Sequence, residues 1–121
     1  EGAPDGWRVI KISGPLFFAA ADRVFGEIAS EHLGERGTIL YLDGVPLLDA
    51  GGLSTLERLM QRCAENKTFL MLADLQFQPL KTLAHARIQP REGEFAVYSS
   101  LVDALAAADQ ATTKKAEDEP T

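Results

Sequence analysis

Two short runs constrain this chain more than anything else in it. Thr38-Ile39-Leu40-Tyr41-Leu42-Asp43 and Thr68-Phe69-Leu70-Met71-Leu72-Ala73 are almost wholly apolar and rich in β-branched or aromatic residues. A strand with one wet face alternates apolar and polar side chains. A strand apolar at nearly every position is covered on both faces, the condition of a sheet sandwiched between helices. Patterns of helical period lie between the runs. Ala21, Val24, Phe25, Ile28 and Ala29 recur at the spacing of one helix face, with Gly34 and Gly37 as stop signals. Leu53, Leu56, Leu59, Met60 and Cys63 form a second stripe, ended by Asn66-Lys67.

Weaker elements complete the order. Trp7 to Ser13 is a β-rich run closed by Gly14-Pro15, and Leu16 to Phe18 is a short apolar piece, strand or turn. A third helix is expected from about Gln78 to Ala86 with Leu80, Leu83 and Ala84 inward. Phe95 to Tyr98 reads as a last strand. A last helix follows, capped by Ser99 or Ser100, with Leu101, Val102 and Leu105 inward. Strands alternating with helices call for parallel pairing through crossovers. The expected fold is therefore a single small α/β domain with a mainly parallel, mixed sheet and alternating helices. Residues 1–6 read as a linker or vector-derived remnant, 7–109 as the domain, and 110–121 as a disordered tail, since nothing larger than Ala is apolar after Thr112.

Composition narrows function by exclusion. Twelve Lys and Arg against eighteen Asp and Glu leave a net charge of −6, which does not favour a nucleic-acid partner. No stretch approaches the ~20 apolar residues of a membrane span. The single cysteine, Cys63, lies on an apolar stripe and reads as a buried structural thiol. No Cys/His cluster suggests a metal, and no Walker loop, dinucleotide fingerprint or nucleophile elbow appears. His32 and His85 read as surface helix residues. No constellation of base, nucleophile and oxyanion donors can be assembled, so no enzyme activity and no cofactor are expected.

The segment that stands out is Val45-Pro46-Leu47-Leu48-Asp49-Ala50-Gly51-Gly52-Leu53. It joins the carboxyl end of the most buried strand to a helix start, where α/β sheets tend to present their binding surfaces. Asp49 suits the helix N-cap. Its carboxylate would take the amides that an anion needs, which argues against an anion site there.

These residues resemble the STAS domain, shared by sulfate-permease-family anion transporters and bacterial anti-sigma factor antagonists. The resemblance runs from about Trp7 to Ala108 and rests on Ile39 to Asp43, Val45 to Leu53 and the helix after them. Pro15 to Ala21 (P-L-F-F-A-A-A) and Phe77 to Ile88 (F-Q-P-L-K-T-L-A-H-A-R-I) are similar to the transporter branch, in particular to its bacterial dicarboxylate or sulfate transporters. The antagonist branch carries Asp-Ser-Ser-Gly-Leu at the loop, with the second Ser phosphorylated. Here Gly51 stands at that position, so no phosphorylation is expected, and Ser54, one turn on, reads first as an ordinary helix-start serine rather than a substitute acceptor.

The resemblance implies a non-catalytic regulatory and protein-interaction module of a secondary anion transporter of the sulfate, bicarbonate or dicarboxylate class. It would sit at the cytoplasmic face of the inner membrane, attached to the membrane domain of the same chain, with a homodimer formed through the full transporter. The expected partner surface is Pro46, Asp49, Ala50, Gly51, Gly52, Leu53, Ser54, Glu57 and Arg58. A second candidate is the basic group Lys81, His85, Arg87 and Arg91, suited to an acidic cytoplasmic protein. The alternatives are a free-standing partner-switching regulator of the antagonist class and a weak nucleotide sensor using the helix start at Gly51 and Gly52.

Overall fold

The computed structural model describes residues 2–118, with side chains described as far as Lys114. Four strands, β1 (Trp7–Ser13), β2 (Gly37–Gly44), β3 (Phe69–Ala73) and β4 (Phe95–Tyr98), alternate with helices α1 (Phe18–Glu27), α2 (Ala50–Glu65), α3 (Phe77–His85) and α4 (Leu101–Asp118). A π-helical turn, Ile28–His32, extends α1. The strands lie in sequence order and every strand pair is parallel, where a mainly parallel sheet was expected. The short piece at Leu16 makes only an isolated parallel bridge to Leu48.

The two-residue period of the strands sorts the core into two layers. Ile10, Ile12, Leu40, Leu42, Leu70, Leu72, Phe95 and Val97 face α1, α2 and α3. Trp7, Val9, Ile39, Tyr41, Met71, Ala73 and Tyr98 face α4 alone. Ile39, Leu40, Leu70, Met71 and Leu72 are 0% exposed, which is why β2 and β3 carry no polar face. Successive crossovers on one side of a sheet put three helices on that side, and only the last helix, which need not return to the sheet, covers the other.

Three expectations require correction. Residues 110–118 are not a disordered tail but the end of α4, whereas 119–121 fall outside the described residues. The order comes from small side chains. Ala104 and Ala108 are fully buried and Ala107 and Ala111 pack with them. Thr112 Oγ1 donates to the Ala108 carbonyl at 2.9 Å and accepts from Trp7 Nε1 at 2.8 Å. Alanine has the highest helix propensity and lets a helix lie close to a sheet, so the absence of large apolar residues did not mean absence of packing. The start, read as a linker, is a loop and turn that rests on the domain. Trp7 N donates to Pro4 O at 3.1 Å, Gly6 O accepts from Arg36 N at 2.8 Å, and Ala3 packs on the α4-side layer.

The other two corrections concern helix faces. In α3 the inward pair is Pro79 and Leu83, while Leu80 is 47% exposed and Ala84 is exposed. In α4 Val102 is 74% exposed. A short helix holds too few apolar positions to fix its phase, and the surface it packs on decides.

Candidate functional site

The loop from β2 to α2 sits at the carboxyl edge of the sheet and is held from three directions. Val45 and Leu48 are buried as anchors. On one side Leu16 N donates to Leu47 O at 2.8 Å and Asp49 N to Leu16 O at 3.4 Å. On the other, the Gln78 side chain reads both groups of one residue. Its Oε1 accepts from Leu48 N at 2.8 Å and its Nε2 donates to Leu48 O at 3.3 Å. Thr82 Oγ1 donates to the same carbonyl at 3.1 Å, and Gln76 Nε2 donates to Asp43 O at 2.7 Å. Three segments far apart in sequence thus meet on one loop, and polar side chains of α3 satisfy backbone groups that strand pairing leaves free.

Asp49 is the N-cap of α2, as expected. Its backbone is extended, and its Oδ1 accepts from Gly52 N at 2.6 Å. The carboxylate therefore occupies the helix start, which leaves a nucleotide phosphate at Gly51 and Gly52 without that donor. Thr55 Oγ1 donates to Gly52 O at 2.8 Å and closes the turn.

The structure divides the nine expected surface residues. Pro46, Asp49, Ala50, Ser54, Glu57 and Arg58 are exposed and Gly51 is partly so, but Gly52 and Leu53 are buried. Those two lie in the first turn of α2 and pack inward. Ser54, Glu57 and Arg58 share one face of α2, and Arg58 Nη2 pairs with Asp22 Oδ1 of α1 at 3.0 Å. The four basic residues are all exposed and spread along the chain from α3 to the start of β4. Lys81 lies 4 residues into α3 with its Nζ 5.9 Å from the Phe77 ring centroid. Arg91 bridges to Phe95 at the start of β4, at the opposite edge of the sheet. His85 and Arg87 fall between them, exposed at the end of α3.

Gly51 has a packing reason as well as a missing hydroxyl. A Cβ there would lie 2.7 Å from Phe18 Cβ and 3.3 Å from its ring. Gly51→Ser, which restores the antagonist-branch residue, should cost about 1 kcal/mol by overpacking. Phe18→Ala would keep the Cβ at 2.7 Å, so Phe18→Gly is the change that should remove most of that cost. A double-mutant cycle by urea denaturation measures the coupling, and additive effects would refute the clash.

Sequence reasoning missed the exposed apolar residues around the loop. Phe17, Phe18, Leu47, Phe77 and Leu80 are 49%, 54%, 40%, 78% and 47% exposed. All five belong to the three segments that meet at the loop, whereas the sixth large exposed apolar residue among the described ones, Val102, is on α4. Single exposed apolar residues need no explanation, but five on three adjoining segments do. The sequence signal was present in Phe17-Phe18 and Phe77, which fit neither helix stripe.

Chemistry is sparse here. The described residues hold no group of three or more His, Cys, Asp or Glu able to take a metal. Cys63 is fully buried, and burial pushes its thiol pKa up, away from a reactive thiolate. His32 and His85 are exposed.

Residues 3–104 match the STAS domain model, and that span contains the sheet, the loop and the helices around it. The chain belongs to the STAS domain family. A sulfate transporter family protein from Wolinella succinogenes has a similar structure, with a TM-score of 0.76 and 26% identity, covering 92% of this chain and 91% of that one. The STAS domain of a SulP transporter from Vibrio cholerae superposes with a TM-score of 0.73 and 27% identity, over 92% of this chain and 87% of that one. Among curated proteins, mouse solute carrier family 26 member 10 is 29% identical over 112 residues. This STAS domain spans only 16% of that relative's length. No helix of the described residues is long and apolar enough to cross a membrane.

Proposed function

We propose that this STAS domain is a non-catalytic regulatory module of an anion transporter of the sulfate-permease class, acting by protein contact at the cytoplasmic face of the membrane. The observation that carries the reading is the exposure of Phe17, Phe18, Leu47, Phe77 and Leu80 on the segments that meet at the β2–α2 loop. Apolar area exposed on a surface this well ordered gains free energy when covered, at roughly 25 cal/mol per Å². The polar rim of Asp49, Ser54, Glu57 and Lys81 supplies the orientation that bare apolar contact lacks. The relatives support the context, since they are named as sulfate transporter and solute carrier proteins. The partner proposed for this surface is the membrane domain of the same polypeptide, brought near by covalent linkage, which raises its effective concentration. A phosphorylation switch at the loop plays no part in this reading, because Gly51 lacks the hydroxyl.

The test is the double substitution Phe77→Ser/Leu80→Ser in the full transporter. Both side chains are largely exposed, so the thermal stability of the isolated domain should be nearly unchanged. Anion uptake into cells or proteoliposomes should change severalfold. Wild-type uptake at equal surface expression would refute the surface.

A further inference from the structure

The amino edge of the sheet, opposite the loop, holds a groove of about 700 Å³ between the strand starts and the second half of α4. Its lining includes four cations, Arg36, Lys67, Arg91 and Lys114, and one carboxylate, Glu92. In a chain of net charge −6, this concentration of positive charge is against the overall composition. Among the described residues only Lys114 has an acidic partner, Glu92 at 3.8 Å, and both of those side chains are well exposed. Arg36, Lys67 and Arg91 make no ion pair there.

The walls between the cations are apolar. Trp7, Phe69 and Tyr98 contribute aromatic surface and Ala107 and Ala111 the helix side. Trp7 and Phe69 pack with centroids 5.8 Å apart. Arg36 is set in place by its backbone, whose N–H donates to Gly6 O at 2.8 Å and whose carbonyl accepts from Phe69 N at 3.0 Å. Gly6, at φ +86°, leaves room for the Arg36 stem, because a Cβ there would come within 2.8 Å of it. Arg36 Nη1 is shielded from solvent with no hydrogen-bond acceptor among the described residues. An unmet buried donor on a guanidinium is unfavourable unless an acceptor arrives. Arginine forks match phosphate oxygens, and lysines add charge without fixed geometry. A cavity of this size with apolar walls and a few convergent charges suits a small organic ligand.

We propose that this groove binds an organophosphate with an apolar body, its phosphate on Arg36, Lys67 and Arg91 and its body against Trp7, Phe69 and Tyr98. The same chemistry is offered by a soluble alkyl or aryl phosphate and by the headgroup of an anionic lipid. The site is separate from the partner surface proposed above and does not depend on it.

Trp7 is the only tryptophan of the chain, so its emission reads the groove directly. Titration with hexyl phosphate should give a saturable change in Trp7 emission, at least tenfold weaker with hexanol. A second arm uses phosphatidylcholine vesicles with and without phosphatidic acid. A response to hexyl phosphate marks a site open to soluble ligands. A response only to phosphatidic acid vesicles marks a lipid headgroup site. Either supports the proposal, and absence of both overturns it. Arg36→Gln should weaken binding about tenfold, the loss expected for one charge-assisted contact. Lys67→Asn/Arg91→Gln gives the same test on two exposed side chains, should Arg36→Gln not fold. Asn suits the left-handed backbone of Lys67, at φ 58°. Unchanged affinity in this folded double variant would also overturn the proposal.

Discussion

Trp7→Ala should be the most destabilising single change in this STAS domain, at about 3–5 kcal/mol, the range for removing a large buried aromatic side chain. Trp7 is 8% exposed and stands where three elements meet. It pairs in register with Gly37 at the start of β2 and packs on Phe69 at the start of β3. Its Nε1 also ties Thr112 of α4 to the sheet. Gly37 is glycine because the indole covers it, and a Cβ there would lie 2.5 Å from the ring. Alanine would leave a hole on the side of the sheet that only one helix covers, so little could collapse to fill it. Trp7→Phe keeps most of the cover and gives up the hydrogen bond to Thr112, which should cost about 1 kcal/mol. Urea denaturation followed by circular dichroism separates the two. Hydrogen exchange should accelerate first in residues 108–114, where the tie to Trp7 is lost. A cost for Trp7→Ala below about 1 kcal/mol would show that α4 docks without it.

Gly52→Ala sets two effects of opposite sign against each other. Replacing glycine by alanine inside a helix usually stabilises by about 1 kcal/mol. At Gly52 the new Cβ would overlap the Leu16 carbonyl oxygen and come within 2.9 Å of Leu48 Cδ1. The obstacle is backbone, and that carbonyl already accepts from Asp49 N, so it cannot swing aside without breaking the bond that holds the loop to the segment before α1. We expect the clash to win, with a net loss of about 2–3 kcal/mol, at the upper end of overpacking costs. Equilibrium denaturation gives the sign directly, and a stabilised Gly52→Ala would mean that the loop is softer than its hydrogen bonds imply. The two adjacent glycines therefore do different work. Gly51 makes room for the Cβ and ring of Phe18, whereas Gly52 makes room for main chain.

Much of the site was legible before any coordinates. The cap at Asp49 and the strand-to-helix position of the loop follow from local chemistry, a short carboxylate side chain before a helical stripe. The buried state of Gly52 and Leu53 was not legible, because it depends on Leu16 and Leu48 lying against them from other segments. Nor was the placement of the basic residues. Lys81 and Arg91 are close in sequence, yet the chain between them crosses from the carboxyl edge of the sheet to its amino edge. The groove at that amino edge collects Arg36, Lys67 and Arg91 from three connections and Lys114 from α4, and no spacing rule relates such residues.

The sequence by itself determined the layered α/β arrangement. Runs apolar on both faces can be satisfied only between two helical layers, and long helical stripes fix their own phase. Tertiary structure decided which side of each short helix faces inward, that the alanine-rich end of α4 is packed, and that apolar side chains of three segments are left outside around one loop. Those outcomes depend on surfaces brought together by the parallel register of the strands. Local propensity is blind to them, because the energy of each lies in contacts between residues that are distant along the chain.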